Sequence, residues 1–228
     1  MSKGEISGYN KSKVEDLRDS INDAAQSVSE IVIDELKNGV IIPISSAWYA
    51  EEAQQYFEEF RESVAACGVT VHDSFDKLRI QIEKTGKEWA IATNGEEPTL
   101  AELDEVILDL DVSNILHTNT IGDRMLDEGK VHRVIASLPN IEQSIKMRIH
   151  ALSYKIQAES AFLGHGQSAA IQNCFNNVSS VIHKVFEFLL IGDDSLQSAL
   201  YKFMNKYRTS AEIAASNYNK TEIEITEK

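Results

Sequence analysis

The sequence predicts an all-α fold in which two long antiparallel helical hairpins form an elongated four-helix bundle. Apolar residues recur at spacings of three and four along most of the chain, as one face of an α-helix requires. Breaking residues are few, with 3 prolines and 11 glycines in 228 residues, whereas a turn-rich β fold uses them often. Four periodic segments joined by two turns and one connector are typical of a bundle.

The composition is that of a globular chain with a core of its own. Hydrophobic residues make up 43% and charged residues 25% of the 228 positions. No apolar run is long enough to span a bilayer, and no leader pattern opens the chain, so we expect neither membrane insertion nor a cleaved signal peptide. Two cysteines, Cys67 and Cys174, are too few for a disulfide framework, and we expect buried free thiols. The sequence leaves open whether they pair.

The net charge of -14 comes entirely from the first half of the chain. Residues 1–114 hold 10 basic and 24 acidic residues, while residues 115–228 hold 12 of each. A nucleic-acid binder requires a basic surface that displaces counterions, and no basic block occurs, so we expect no nucleic-acid partner. The acidic half favours a partner with a basic surface.

Residues 1–95 form the first predicted hairpin. Its first helix covers residues 12–38 and is followed by Gly39, at the place of a C-cap glycine. Its second helix covers residues 47–94, with a serine as N-cap and two glycines that weaken it locally. The serine is Ser45 or Ser46, and the glycines are Gly68 and Gly86.

Residues 96–139 are predicted to be an acidic connector. One short helix is expected over residues 100–110, because Thr99 and Glu102 have the spacing of a capping box. The sequence Leu138-Pro139-Asn140 then marks the start of the next helix.

Residues 140–228 form the second predicted hairpin and a C-terminal tail. Its helices cover residues 141–161 and the chain from Gln167 onward, with a turn at residues 162–166. Gly192 has the appearance of a break, but Leu189 and Leu196 are seven residues apart, which would also suit one continuous helix.

Each half of the chain has a shorter helix, a turn with an aromatic residue and a longer helix. A shift of 118 residues aligns much of the apolar stripe of the fourth helix with that of the second, for example Phe175 with Phe57. Any two heptad stripes can be aligned in this way, so an internal duplication is a hypothesis.

No known catalytic or metal-binding motif occurs in the sequence. Gly-rich phosphate loops, nucleophile elbows and closely spaced cysteine or histidine ligands are all absent. The pairs Glu128/His132 and His183/Glu187 have helical spacing, but neither recurs on a second helix as in di-iron bundles. We expect no enzymatic activity, no cofactor and no metal.

The turn of the first hairpin and the tail carry two short motifs. The turn reads Trp48-Tyr49-Ala50, and in the tail Glu222 follows Tyr218 by four residues. A tryptophan in a hairpin turn together with a C-terminal Tyr-x-x-x-Asp/Glu resembles the Trp-x-Gly family of type VII secretion substrates. Here Ala50 replaces the family's glycine. In the second half, Phe162-Leu163-Gly164 keeps the glycine and has phenylalanine in place of tryptophan.

The resemblance implies a non-enzymatic export substrate, or a secreted helical partner, that leaves the cytoplasm without a cleaved signal peptide. In the family, the turn aromatic of one hairpin lies beside the Tyr/acid tail of its partner, and an export ATPase recognises both. The expected partners are therefore that ATPase or a helical protein, and a homo-oligomer is possible. The expected recognition residues are Trp48, Ala50, Phe162, Gly164, Tyr218 and Glu222.

Other interpretations of the same features stay open. A structural subunit of a larger assembly, such as a virion or an injection machine, also uses long bundles without catalytic residues; a metal or cofactor bundle enzyme is the least favoured class. Trp48 could serve only to close the end of the core, and Tyr218 and Glu222 could belong to an exposed terminus. Heptad stripes specify burial and not the partner, so the two hairpins could pack on each other or on another chain.

Overall fold

A computed structural model describes residues 8–116, 125–156, 161–163 and 167–226, the last ten without their side chains. Most of these residues are helical, which confirms the prediction of an all-α bundle. Four two-residue strands accompany the helices in this part of the chain: β1 (Gly8–Tyr9), β2 (Trp48–Tyr49), β3 (Met125–Leu126) and β4 (Phe162–Leu163). The helices are α1 (Lys11–Leu36), α2 (Ile42–Ser45), α3 (Glu51–Thr93), α4 (Glu128–Ala151), α5 (Gln167–Ile191) and α6 (Leu196–Thr226).

The bundle consists of α1, α3, α4 and α5, and the two hairpins pack on each other. Helices α1 and α5 each pack between α3 and α4, and neighbours run antiparallel. The predicted stripes meet in the core, where the rings of Phe75 on α3 and Phe175 on α5 are 5.9 Å apart. The largest side chains that are fully buried include six aromatic residues: Trp48, Phe57, Phe75, Phe162, Phe175 and Phe186.

The short strands connect the starts of helices that lie diagonally across the bundle. Strand β1 pairs with β4 at one end, and β2 pairs with β3 at the other, both antiparallel. Each pair leads into a capped helix, because Asn10 accepts a hydrogen bond from the Lys13 amide at 3.1 Å and Asp127 accepts one from the Lys130 amide at 3.0 Å. Both ends of the core are therefore closed by paired backbone.

The predicted C-cap at Gly39 is wrong, because the helical path continues beyond it. Residues Lys37–Ile41 form a π-helix that leads directly into α2. Pro43 lies in the first turn of α2, directly after the π-helix. A Cβ at Gly39 would overlap the side chain of Ile141 on α4, which would have to shift.

The predicted serine cap of the second long helix is also wrong. Helix α3 begins at Glu51, and its N-cap is Ala50, which has no side chain to accept a hydrogen bond. Ser45 and Ser46 donate to carbonyls of the preceding turn instead. At the other end, Asn94 adopts a left-handed conformation with φ of 52° one residue after the helix ends.

The predicted helix over residues 100–110 does not form. Residues 96–112, termed the strap, are extended and lie along α1 and α3. From Val106 onward every second residue is buried, which is the period of a strand and not of a helix. The buried residues of the strap are Leu100, Leu103, Val106, Leu108, Leu110, Val112 and Pro98.

Side chains of α1 bind the backbone of the strap in place of a neighbouring strand. The Asn22 amide accepts from the Asp104 backbone N–H at 2.9 Å and donates to its carboxylate at 2.9 Å. The Gln26 side chain donates to the backbone carbonyl of Glu105 at 3.1 Å, and the Ser29 hydroxyl donates to the backbone carbonyl of Ile107 at 2.5 Å. These donors recur every three or four residues, so one face of α1 holds the strap.

Helix α4 begins at Glu128 and passes through Pro139, so the predicted start at Ile141 is wrong. Proline lacks the N–H that would bond the carbonyl of Ile135, one turn earlier. The side-chain amide of Gln197 on α6 donates to this carbonyl instead, with Nε2 3.5 Å from the Ile135 oxygen. Helix α4 ends at Ala151, and residues Leu152–Lys155 continue as a 3-10 helix.

Replacing Pro139 by alanine is expected to raise the free energy of unfolding by about 1 kcal/mol. Alanine restores the helical hydrogen bond to Ile135, and little burial is lost because Pro139 is exposed. The gain is smaller than the about 3 kcal/mol that proline costs in a free helix, because α4 has packed in its present shape. Urea denaturation followed by circular dichroism measures the difference. A loss of stability would instead identify the proline ring as a packing element.

The helical conformation is interrupted at residues 192–195, so α5 and α6 are two separate helices. A Cβ at Gly192 would lie 2.9 Å from the carbonyl oxygen of Phe188, so the chain passes too close for a side chain. Ser195 then caps α6, accepting from the Ser198 amide at 3.3 Å. After the break α6 runs along α4 toward the start of that helix, from Gln197 at Ile135 to Arg208 at Glu128, and it contacts both α4 and α5.

Candidate functional site

Trp48 lies in the core, at the end of the bundle where β2 and β3 pair. Its side chain is 0% exposed. The indole ring lies 4.5 Å from the ring of Phe203 on α6 and 6.3 Å from that of Phe57 on α3. The tryptophan that carries the resemblance to the export family therefore packs beneath α6 and does not face solvent.

Trp48 belongs to an aromatic cluster that also contains Tyr56, Phe57, Phe60 and Phe203. The Tyr56 ring lies 5.6 Å from that of Phe203, edge to face, a favourable geometry for aromatic pairs. Burial, aided by the charge of Glu59, raises the pKa of the Tyr56 hydroxyl to about 12. The cluster joins α6 to α3 through an apolar contact that stays uncharged over the physiological pH range.

The indole N–H of Trp48 is buried without an acceptor among the described residues. Only one other buried side-chain polar atom in this part of the chain, Oδ1 of Asn176, also lacks a partner. A buried donor without an acceptor costs about 1–3 kcal/mol. The cluster is thus held by ring packing, against an unfavourable contribution from this group.

Polar contacts surround the aromatic cluster where α6 crosses the starts of α3 and α4. Arg208 pairs with Glu128 at 2.8 Å, and this carboxylate raises the pKa of the guanidinium. Tyr207 donates to Glu52 at 3.2 Å, and the Lys206 ammonium lies 3.6 Å from the same carboxylate. Solvent screens the exposed pair of Arg208 and Glu128, so the aromatic cluster provides most of the attachment.

Beyond these contacts, α6 projects from the bundle. Every residue from 208 to 216 is exposed, including Ile213 at 58%. Residues 208–226 are termed the projecting helix. Its backbone remains helical to Thr226 and includes Tyr218 and Glu222, whose side chains lie outside the described set.

The structure brings only part of the predicted recognition set together. Trp48 and Ala50 flank the start of α3, and Ala50 is 2% exposed. Phe162 is buried in β4, at the opposite end of the bundle, and Gly164 lies outside the described residues. Trp48 and the helix that carries Tyr218 do meet, but through Phe203, some fifteen residues before the tyrosine.

The contact between His183 and Glu142 is among the polar contacts between helices that the sequence did not predict. His183, considered above with Glu187, bonds instead to the carboxylate of Glu142 on α4, and both side chains are largely buried. Glu142 is 41 residues away in sequence, so helical spacing within α5 gives no sign of it. The contact joins the two helices of the second hairpin.

The remaining chemistry-bearing groups stay apart. Cys67 and Cys174 are free and half-buried. Burial raises the pKa of the Cys67 thiol to about 11 and also raises the pKa of the Cys174 thiol. Over the described ranges, no three histidine, cysteine or acidic residues come together as metal ligands. Nor does any described helix combine the length and apolar character that crossing a bilayer takes.

Comparison with family models, with curated proteins and with solved structures finds no match to this chain. The resemblance to the Trp-x-Gly family therefore rests only on the residues quoted above. Its functional meaning has to be sought in the aromatic cluster and in the projecting helix.

Proposed function

We propose that this chain is a non-enzymatic helical protein that a partner recognises through the projecting helix, and that the partner belongs to a type VII export system. One observation carries the proposal: residues 208–216 are all exposed on a helix that continues to Thr226. The one described contact of the projecting helix with the bundle is the pair between Arg208 and Glu128 at its start, and a helix with so few tertiary contacts is only marginally stable in water. Docking onto another protein would supply the missing contacts, as in other helix-in-groove complexes.

Export enters through the resemblance. Tyr218 and Glu222 are four residues apart on the projecting helix, a spacing that places two residues on one helical face. The burial of Trp48 gives the two motifs different roles. In our proposal the partner reads the projecting helix, whereas Trp48 holds the base of that helix in place through Phe203.

Secretion by a cell with a type VII system tests the proposal. The double variant Tyr218→Ala/Glu222→Gln is expected to lower the secreted fraction at least tenfold. Its thermal unfolding should be unchanged, because residues 209–216, which precede both positions on the helix, are all exposed. Tyr201→Ala, which removes an exposed tyrosine from the packed part of α6, is the matched control. Normal secretion of the double variant would contradict the proposal.

A structural subunit of a larger assembly is the second candidate, and the outer face of α5 favours it. Phe188 is 65% exposed and Val181 is 47% exposed, seven residues apart on the same face. Exposed apolar side chains that recur along one helix suit lateral packing against further subunits. Light scattering separates the candidates: a defined oligomer favours assembly, and a monomer that is secreted favours export.

A further inference from the structure

We propose that a cavity between α2 and the first turns of α4 binds a phosphate group, either as free phosphate or as a phosphate monoester. The cavity has a volume of about 350 Å³, within the range of small-molecule sites. Two basic and two hydroxyl side chains contribute to its walls: Lys130, Arg133, Ser46 and Ser137. This ligand site is independent of the recognition proposed for the projecting helix.

Arg133 lacks a carboxylate partner although the chain has an excess of carboxylates. The sequence holds 36 acidic and 22 basic residues. Within the described ranges, Arg133 makes neither a hydrogen bond nor an ion pair, and its exposed side chain lines the cavity. Its guanidinium fork is thus available to bind an oxyanion in bidentate fashion. The other described arginines all contact a carboxylate: Arg18, Arg61, Arg79, Arg148 and Arg208.

Lys130 lies one turn before Arg133, on the same face of α4. Its ammonium donates to the carbonyl of Ser46 at 3.0 Å, which holds the charge at the wall of the cavity and leaves two donors free. The nearest carboxylate, that of Asp127, lies 3.9 Å from Nζ and bonds the Lys130 backbone N–H with its other oxygen. This carboxylate offsets part of the positive charge, so we expect modest affinity.

The hydroxyl groups and the backbone complete the site. Ser46 and Ser137 donate to the carbonyls of Pro43 and Val134, at 3.1 and 2.8 Å, and a hydroxyl can rotate to donate to a bound oxygen instead. The π-helix at Lys37–Ile41 brings Gly39 to the wall, and such turns are frequent at functional sites. A phosphate monoester carries a charge of about -1.5 to -2 at neutral pH. This charge matches the two cations of the site better than the single negative charge of a carboxylate ligand would.

Nuclear magnetic resonance titration of the full chain tests the site. Inorganic phosphate and glycerol 3-phosphate are added separately, with sodium chloride at matched ionic strength as reference. We expect saturable chemical-shift changes of the backbone amides of Ser46 and of residues 130–137. The expected Kd is on the order of 1 mM, which corresponds to a standard binding free energy of about -4 kcal/mol. Tighter binding of the ester would identify a phosphate ester as the ligand, and equal or tighter binding of inorganic phosphate would identify the free ion.

Matched variants decide whether the cavity is responsible. Arg133→Gln should raise the Kd at least tenfold, and its exposed position makes misfolding of the variant an unimportant risk. Arg61→Gln, which removes an ion-paired arginine from α3, should leave the Kd unchanged. Shifts that chloride reproduces, titrations that do not saturate, or an unchanged Kd in Arg133→Gln would each overturn the assignment.

Discussion

Replacing Trp48 by alanine is expected to lower the free energy of unfolding by about 3–5 kcal/mol, the range for large aromatic residues removed from a core. The indole is fully buried between α3 and α6 and contacts the rings of Phe57 and Phe203. Small domains are stable by only about 5–15 kcal/mol, so the variant would be close to unfolding at physiological temperature. Urea denaturation followed by circular dichroism measures the loss.

The variant Trp48→Phe separates the contribution of aromatic packing to the free energy of unfolding from that of the buried indole N–H. Phenylalanine keeps an aromatic ring against Phe203 and removes the buried N–H that lacks an acceptor, which offsets part of the lost contact. We therefore expect a loss below about 2 kcal/mol. Tyr201→Ala, an exposed aromatic on the same helix α6, should change stability by less than about 0.5 kcal/mol and serves as control. A near-neutral Trp48→Ala would contradict the buried position.

The same pair of variants distinguishes two roles that Trp48 would have under the export function proposed above. If a partner reads the indole directly, Trp48→Phe should fail in secretion although it folds. If Trp48 acts only by holding α6, Trp48→Phe should be secreted, and limited proteolysis should cut α6 faster in Trp48→Ala alone. The burial of the indole favours the second outcome.

The long helices could be predicted because their periodicity is local. Phe57, Phe75 and Phe175 belong to predicted stripes and are all buried. The predicted seam of α5 shifts by one residue, since Phe186 and Leu190 are fully buried and their neighbours Val185 and Leu189 are only partly so. A shift of one residue rotates the seam by about 100°, which is larger than the drift of about 20° per heptad on a straight helix, so drift alone does not produce it.

The ends of the helices and the strap could not be predicted, because distant residues determine them. Ala50 caps α3 without a side chain because β2 already pairs with β3 at this point. Pro139 lies inside α4, where the carbonyl that it leaves free is met by Gln197, which is 62 residues from Ile135. Thr99 and Glu102 have the spacing of a helix cap, yet side chains of α1 bind this backbone in extended form.

The contact between Trp48 and Phe203 shows why the candidate site was found only in part. The turn motif drew attention to Trp48, but nothing in it indicates that Phe203 of α6 packs against this residue. This packing depends on the break at residues 192–195, which the sequence left open because Leu189 and Leu196 keep the heptad register. Exposure of residues 208–216 likewise follows from where α6 leaves the bundle and not from their composition.

Replacing Gly68 by alanine is expected to lower the free energy of unfolding, whereas helix propensity alone would predict an increase. Gly68 lies inside α3, where alanine is normally favoured by about 1 kcal/mol. A Cβ at this position would lie 2.5 Å from the carbonyl oxygen of Val106 in the strap. Backbone cannot rotate away as a flexible side chain can, so the strap has to move. We expect a net loss of about 1–3 kcal/mol in the free energy of unfolding.

Hydrogen exchange locates the effect of Gly68→Ala, since the amides of the strap should exchange faster while those of α5 are unchanged. Gly129→Ala is the matched control, because its Cβ would meet only one atom, Oδ1 of Asp127, at 3.4 Å. That variant is expected to be neutral or slightly more stable than the parent. A Gly68→Ala protein that gains stability would show that the strap does not lie against α3 at Val106. A loss confined to the strap would instead identify Gly68 as the residue that lets an extended acidic segment pack against a helical bundle.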